Sequence, residues 1–182
     1  MKSKNLSTKE QWESLHEQAR FRPKYPSERV VQWASTLPRG AKVLDHGCGA
    51  GRHSRFLTKE GFWVKSYDVS LVYPLATDQF PTDTDFDAVL SYGVLNYLPF
   101  EEQIEEIERL YRCLKSGGTG LFVVRSDRTT SSDRGDSHIV QYNWNYIEKN
   151  IMFPQFSSVQ VDYQDATFGS HREHDWVIQV TR

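Results

Sequence analysis

Hydrophobic positions along the chain fall into two patterns, a helical spacing and short continuous runs. The clearest helical pattern covers residues 101–114, where one apolar stripe runs along the segment and acidic side chains crowd its first half. Further helices are predicted after Ser7, after Ser27 and over residues 52–60. Short apolar runs predict buried strands, which lie at residues 42–44, 62–67, 86–91 and 121–124.

The chain changes character after residue 125. A polar stretch over residues 126–137 precedes a predicted helix near residues 143–152 and two strand-like runs, 159–163 and 176–181. Two successive strands without an intervening helix are expected to pair antiparallel, whereas alternating strands and helices predict a parallel sheet with right-handed crossovers. The pattern therefore predicts an α/β fold: an open, mostly parallel sheet with helices on both faces and an antiparallel C-terminal strand.

Length and composition fit one globular domain. The 182 residues are 38% hydrophobic and 25% charged, which is typical of soluble proteins. The net charge of −2 offers no broad attraction for nucleic acid, and no apolar run approaches the ~20 residues that cross a bilayer. Two cysteines, Cys48 and Cys113, do not suggest a disulfide framework, so we expect a cytoplasmic protein.

The most informative segment lies between the first predicted strand and the next helix. It reads Asp-His-Gly-Cys-Gly-Ala-Gly over residues 45–51, and Asp68 ends the following strand. Glycines allow sharp turns and close approach to a ligand, and an acid at the next strand end suits a ribose diol. A dinucleotide fingerprint needs glycine at position 52, which is arginine here, and Asp45 would repel a pyrophosphate. A positively charged sulfonium compound fits the same charge pattern.

Three segments in the matching order resemble class I S-adenosylmethionine-dependent methyltransferases. They are residues 43–54 with 67–70, residues 86–95, and residues 114–118. The resemblance implies a Rossmann-like sheet and S-adenosylmethionine as the methyl donor. It places the glycines along the methionine part of the donor, Asp68 on the ribose, and Val69 and an acidic residue at the adenine. The donor-binding residues that it implies are Asp45, Gly47, Cys48, Gly49, Gly51, Asp68, Val69, Asp78, Gln79, Ser91 and Tyr92.

The sequence departs from this family between Asp68 and Asp87. Only 19 positions separate them, because 87 − 68 = 19, and Pro74 and Pro81 interrupt the segment. A crossover helix alone needs at least ~10 residues, and a strand with its turns needs about as many again. We therefore predict a reduced third βα unit and a sheet of about six strands instead of the seven usual in the family.

The sequence gives weaker indications of the methyl acceptor. The segment after the fourth predicted strand carries neither the Asn/Asp-Pro-Pro-Tyr motif of amino-methyltransferases nor a Pro-Cys nucleophile. The remaining sequence pattern most resembles that of small-molecule methyltransferases. Candidate substrate-binding residues are Arg22, Tyr25, Arg125 and Arg128, and candidate catalytic residues are Tyr92, His53 and His138. His171 and His174 have no predicted role, and we expect no metal site.

We expect one domain over residues 1–182: an N-terminal helical segment (1–40), a donor-binding core (41–125), and an acceptor loop with C-terminal strands (126–182). The expected activity is methyl transfer to an oxygen or nitrogen of a small-molecule acceptor, acidic or derived from a sugar. A donor-binding module without its own activity, working with a partner subunit, is the alternative, and a nicotinamide oxidoreductase is a more distant one. A homodimer also stays open, and we expect neither a nucleic acid nor a membrane as partner.

Overall fold

The computed structural model describes residues 8–18, 22–128, 142, 144, 145, 152–168 and 171–182. The helices are α1 (Thr8–Glu17), α2 (Glu28–Ala34), α3 (Arg52–Lys59) and α4 (Phe100–Cys113). The strands are β1 (Lys42–His46), β2 (Trp63–Tyr67), β3 (Ala76–Thr77), β4 (Phe86–Tyr92), β5 (Leu114–Arg125), β6 (Ser158–Phe168) and β7 (His171–Thr181). No helix in these ranges has the length and apolar character needed to cross a membrane.

The seven strands form one sheet in the order β3-β2-β1-β4-β5-β7-β6. The pairs from β3 to β5 are parallel, and β7 runs antiparallel to both β5 and β6. This arrangement confirms the predicted open α/β sheet with antiparallel pairing at its C-terminal end. The strand order reverses between β1 and β4: after β1 the chain continues to β2 on one side, and after β4 it continues to β5 on the other side. Ligands of open α/β sheets bind at such a reversal, beyond the carboxyl ends of the strands.

The predicted reduction of the third βα unit is confirmed, but the predicted number of six strands is wrong. β3 has only two residues, which pair with Ser66 and Tyr67 of β2, and the fully described chain between β2 and β4 contains no helix. Two residues leave no hydrophobic period in the sequence, which is why the strand escaped prediction. Without a covering helix, Trp63 on β2 is 75% exposed, and its neighbour Lys65 is held by Asp83 at 2.9 Å.

Hydrophobic side chains fill both faces of the sheet, as expected when strands are buried from two sides. One layer packs the sheet against α4 and the C-terminal segment, with Phe86, Ile107 and Phe122 among its members. The other packs against α2 and α3, with Leu57 and Leu90 among its members. Successive side chains of a strand point to opposite faces of the sheet. Consecutive residues of β1 therefore lie on different faces at the carboxyl edge.

The helix predicted near residues 143–152 lies mostly outside the described residues. Trp144, at its start, forms an isolated parallel bridge with Ser126. Its indole is buried and donates to Gln103 at 2.7 Å, so this tryptophan belongs to the core beside α4.

Candidate functional site

The glycine loop follows β1 at the carboxyl edge of the sheet, where the sequence predicts the donor. Gly47, Gly49 and Gly51 all have left-handed φ values, of 68°, 53° and 77°. A Cβ on Gly47 would lie 2.1 Å from Val94, and one on Gly51 would lie 2.4 Å from the ring of Tyr73. These two glycines therefore let the protein pack against itself. A Cβ on Gly49 would lie 3.1 Å from Nε2 of His16, so this glycine faces α1.

Four backbone N–H groups of this loop, at residues 47, 48, 49 and 51, are already used within the protein. Those of Gly47 and Cys48 both donate to the carbonyl of Tyr67, at 2.8 and 3.0 Å, and that of Gly51 donates to Cys48. The N–H of Gly49 donates to the carboxylate of Asp68 at 2.7 Å. A loop that binds a diphosphate needs such groups free to face the phosphates. Their internal use is unfavourable for a dinucleotide and neutral for a ligand without phosphate.

Asp68, at the end of β2, holds the loop in place. Besides Gly49, its carboxylate accepts from the backbone N–H and the hydroxyl of Ser70, at 2.8 and 2.9 Å. The side chain is buried, and a carboxylate has about four lone-pair sites, so three bonds leave capacity for a hydroxyl of the ligand. The prediction that Asp68 binds a ribose diol fits this geometry.

Asp45 lies behind the loop, on the face of the sheet that packs against α3. Its carboxylate is 2% exposed and accepts from the hydroxyl of Ser54 at 2.5 Å, and Ser54 in turn accepts from Ser66 at 2.8 Å. Burial raises the pKa of Asp45 to about 6, with the Ser54 hydrogen bond and His46 opposing the shift. Because the group is enclosed, its charge would act on a bound cation through space and not by direct contact.

This raised pKa predicts a pH-dependent stability. Because the pKa of Asp45 is higher in the folded than in the unfolded protein, its protonated carboxyl stabilises the fold fully below pH ~4. This stabilisation is lost as the pH rises through about 6. The rise of the Asp45 pKa from 3.8 to about 6 corresponds to a loss of roughly 3 kcal/mol of unfolding free energy once the carboxyl is ionised. We expect the free energy of unfolding of wild type, relative to Asp45→Asn, to fall by about this amount between pH 4 and pH 7.5. Urea denaturation at four pH values measures it, and a constant difference would show that Asp45 ionises freely.

A different chain of polar groups joins β1 to α4 on the opposite face of the sheet. His46 contacts Ser91 through Nδ1 at 3.0 Å and Glu106 through Nε2 at 2.8 Å. Burial opposes ionisation of Glu106, but the hydrogen bond from His46 and the charge of Arg109 hold the pKa of Glu106 below its ordinary value. Ser91 is 1% exposed, and its hydroxyl is engaged with His46. His46 therefore fastens the carboxyl ends of β1 and β4 to α4.

α1 crosses the carboxyl edge of the sheet and touches three strand ends. Lys9 pairs with Asp78 at 2.9 Å, His16 contacts the hydroxyl of Ser70 at 2.8 Å, and the ring of Trp12 meets Tyr97 edge-on at 4.7 Å. The sequence pattern indicates a functional role for none of these α1 residues, because their partners lie 54 or more positions away. No local pattern could have linked them.

Tyr92, at the end of β4, and His53 are two of the predicted catalytic candidates, and they lie together. The ring of Tyr92 is flanked by His53, with ring centroids 4.9 Å apart, and by the guanidinium of Arg52 at 5.0 Å. Burial, with the charge of Arg52, holds the pKa of His53 well below its ordinary value. Its Nε2 accepts weakly from the backbone N–H of Ser27 at 3.3 Å. A neutral imidazole beside an aromatic ring and a cation is therefore present at this edge.

The other predicted substrate residues are spread around this edge. Arg22 is exposed, and its guanidinium donates to the backbone carbonyl of His16. Tyr25 is 72% exposed. Arg128 lies over the ring of Tyr163 at 5.7 Å. The backbone N–H of Arg125 donates to Asn96, which also donates to the carbonyls of residues 125 and 142, so Asn96 fastens backbone segments together.

The remaining predicted residues can be placed briefly. Val69 is partly exposed beside Asp68, and Gln79 is exposed, with its backbone N–H donating to Thr77. Cys48 is buried, and burial raises the pKa of its thiol. His138 lies outside the described residues, and His174 stacks on Tyr163 at 5.9 Å. Among the residues whose positions are described, no cluster of histidine, cysteine or acidic side chains suits a metal ion.

Comparison with known proteins gives a consistent picture. A family model described as a methyltransferase domain matches residues 18–165. A 2-methyl-6-phytyl-1,4-hydroquinone methyltransferase of Synechocystis is 30% identical over 160 residues, covering 72% of this chain and 47% of the relative. The chain thus spans about half the length of that relative.

Solved structures are similar in fold at low identity. A 1,6-didemethyltoxoflavin-N1-methyltransferase of Burkholderia thailandensis, solved with S-adenosylhomocysteine, has a TM-score of 0.64 at 17% identity, covering 97% of this chain and 91% of that one. The [4+2]-cyclase SpnF has a TM-score of 0.61 at 14% identity, covering 85% and 80%. Since a cyclase shares the fold, the fold alone does not fix the reaction.

Proposed function

Since this chain belongs to the family of methyltransferase domains that use S-adenosylmethionine, we propose that it methylates an acidic small molecule at oxygen or nitrogen. The observation that carries this proposal is the junction of the glycine loop with Asp68. There the loop amides are engaged internally, while a buried carboxylate keeps acceptor capacity towards the carboxyl edge. That combination suits a nucleoside without phosphates.

The residues at this junction fit the donor in a definite order. Asp68 would accept from the ribose hydroxyls, and Asp78 with Gln79 would lie at the adenine, because they follow β3 directly. The glycine loop, with Gly49 between Asp68 and His16, would lie along the methionine part. Asp45 would favour the positive sulfur through space. Ser91, Tyr92 and Cys48 would contribute shape, since the two polar side chains of Ser91 and Cys48 are buried.

When bound, S-adenosylmethionine supplies a methyl group on a positively charged sulfur. In the displacement, a lone pair of the acceptor forms the new bond to carbon while the carbon–sulfur bond breaks and its electrons return to sulfur. The acceptor proton passes to a base or to water. Most of the rate enhancement can come from holding acceptor and methyl group in line. The protein therefore needs to supply position and charge more than a reactive side chain.

Arg52 supports an acidic acceptor. No carboxylate in the described part of the chain pairs with its guanidinium, which lies over the face of Tyr92, whereas Arg29 and Arg109 each have an acidic partner. A cation at the mouth of the site without a partner is available to a carboxylate or phosphate of the substrate. His53 flanks the same ring of Tyr92, but its Nε2 already accepts from the backbone N–H of Ser27, so no proton transfer is assigned to it.

This proposal predicts a substrate preference that depends on Arg52. In a panel of aromatic and sugar acids with S-adenosylmethionine, we expect kcat/KM for an acid to exceed that for its neutral amide by about tenfold or more, as one charge-assisted hydrogen bond supplies. Release of S-adenosylhomocysteine measures turnover. Arg52→Gln should lose the preference, while Lys59→Gln, an exposed cation at the far end of α3, should keep it. Equal preference in both variants would remove Arg52 from the acceptor site.

A second candidate function is a donor-binding module that relies on a partner or another domain for its acceptor pocket. The length of the Synechocystis relative, of which this chain covers 47%, favours it. In that case S-adenosylhomocysteine binds, but no acceptor in the panel is methylated by the isolated chain. Turnover with any member of the panel would exclude this candidate.

A further inference from the structure

His16 of α1 is a buried imidazole at the edge of the candidate donor site. It is 8% exposed, and its Nδ1 contacts the Ser70 hydroxyl at 2.8 Å. Its Nε2 lies 3.1 Å from the position that a Cβ on Gly49 would take. The ring is therefore wedged between the two features that hold the donor in the proposed function, the glycine loop and the end of β2.

The hydrogen-bond network fixes which nitrogen of His16 carries the proton. The single hydroxyl proton of Ser70 goes to the Asp68 carboxylate, at 2.9 Å. The Ser70 oxygen can then only accept from His16, so Nδ1 is the protonated nitrogen. Burial lowers the pKa of His16, as does the charge of Arg22, against an opposing effect of Asp68. The ring is neutral at pH 7, and Nε2 keeps a free lone pair.

This lone pair has no hydrogen-bond partner among the residues that the structure describes. A buried acceptor without a partner costs free energy unless a ligand or water satisfies it. Nε2 faces Gly49, while Nδ1 on the other side of the ring contacts Ser70, the immediate partner of the Asp68 carboxylate. A group that satisfies Nε2 must donate a hydrogen, and the ribose hydroxyls and the ammonium of the donor can do so.

The docking of α1 keeps His16 in this position. The pair between Lys9 and Asp78 fastens the start of the helix beside the proposed adenine region, and Trp12 against Tyr97 fastens its middle. All three contacts join α1 to strand ends at the carboxyl edge. The helix is thus placed as one wall of the donor site and not as a separate N-terminal extension.

We propose that α1 completes the donor site and that Nε2 of His16 accepts a hydrogen bond from the bound donor. The proposal rests on the proposed function for the location of the donor. It adds a binding residue from a segment that the family resemblance left unassigned. His16 acts here on binding, and no proton transfer in the reaction is assigned to it.

Titration calorimetry of the full chain with S-adenosylhomocysteine tests this. At pH 8, His16→Phe, which keeps ring volume and loses both nitrogens, should bind five- to tenfold more weakly than wild type, and His16→Gln, which keeps an acceptor, should recover part of the loss. Glu17→Gln, an exposed change on the same helix, is the control and should bind like wild type. Equal affinity of His16→Phe and wild type would overturn the proposal, and so would tighter binding by His16→Phe, because the imidazole would then be an obstacle.

Two further arms sharpen the result. 5′-Methylthioadenosine has the ribose but no ammonium, so an equal loss with both ligands assigns Nε2 to the ribose, and a loss with S-adenosylhomocysteine alone assigns it to the ammonium. The ratio of wild-type to His16→Phe affinity should approach one as pH falls and the imidazole protonates. The charged groups that act on His16 are Asp68 and Arg22, and they are present in both proteins, so their titration largely cancels in the ratio.

Melting temperatures without ligand separate a loss of binding from a loss of fold. If the loss of affinity in His16→Phe stays the same across pH, the role is one of packing, and the proposal fails. Failure of wild type itself to bind S-adenosylhomocysteine would instead overturn the donor assignment on which the proposed function rests.

Discussion

Gly51→Ala should lose about 2–5 kcal/mol of unfolding free energy and with it the binding of S-adenosylhomocysteine. Two effects add. A left-handed φ of 77° costs a residue with a Cβ roughly 1–2 kcal/mol. The new Cβ would also lie 2.4–2.7 Å from three ring atoms of Tyr73, and overpacking of this kind costs about 1–3 kcal/mol. Since a ring cannot move aside as a long side chain does, either the loop or the ring must shift.

Gly61→Ala separates the two effects. Gly61 also has a left-handed φ, of 89°, but no atom lies within 4 Å of a Cβ placed there. The Gly61→Ala variant should lose only about 1–2 kcal/mol of unfolding free energy, from the backbone conformation, and keep its affinity for S-adenosylhomocysteine. Melting temperatures give the comparison, with roughly 2–4 °C per kcal/mol expected for a chain of this size. Equal losses in the two variants would mean that Tyr73 yields without cost and that the glycine serves conformation alone.

Asp68→Asn should weaken the binding of S-adenosylhomocysteine by about ten- to a hundredfold. A hydrogen bond to a charged group contributes about 1.5–3 kcal/mol, and the amide replaces one acceptor oxygen with a donor. That donor would face the N–H of Gly49 or the Ser70 hydroxyl, both of which now donate to Asp68. The loss therefore combines a missing contact to the ribose with a displaced glycine loop.

Asp87→Asn is the matched control for Asp68→Asn. Asp87 also accepts from a backbone N–H, that of Lys42 at 2.8 Å, but it lies at the amino end of β4. Calorimetry at a temperature well below both melting transitions should find near wild-type affinity for Asp87→Asn. If Asp68→Asn binds like its control, the ribose is held elsewhere.

The hydrophobic pattern was sufficient to predict the open, mostly parallel sheet, and the glycine loop was sufficient to predict the methyl donor. The strands around β1 and β4 are buried on both faces, so their continuous apolar runs are visible in the sequence. β3 was missed because two residues carry no period, and its existence depends on pairing with β2. Local patterns thus predict elements that are stable through their own burial and miss those that depend on a neighbour.

The candidate site shows the same division. Asp68 and the glycines could be identified from the sequence, because their chemistry is concentrated in one short segment beside a strand. His16 and Lys9 could not, because each acts with a partner far along the chain, at Ser70 and Asp78. The side chain of Asp45 also turned out to be enclosed against Ser54, a matter of which face of β1 it occupies. Its charge remains beside the loop, but direct contact with a cation is not its role here.

Calorimetric titration of the wild-type chain with S-adenosylhomocysteine and with NAD⁺, in the same buffer at pH 7.5, tests the central claim most directly. The engaged amides of the glycine loop and the buried carboxylates predict saturable binding of the first ligand and none of the second. Binding of NAD⁺ without binding of S-adenosylhomocysteine would contradict the account, because the loop would then be accommodating a diphosphate.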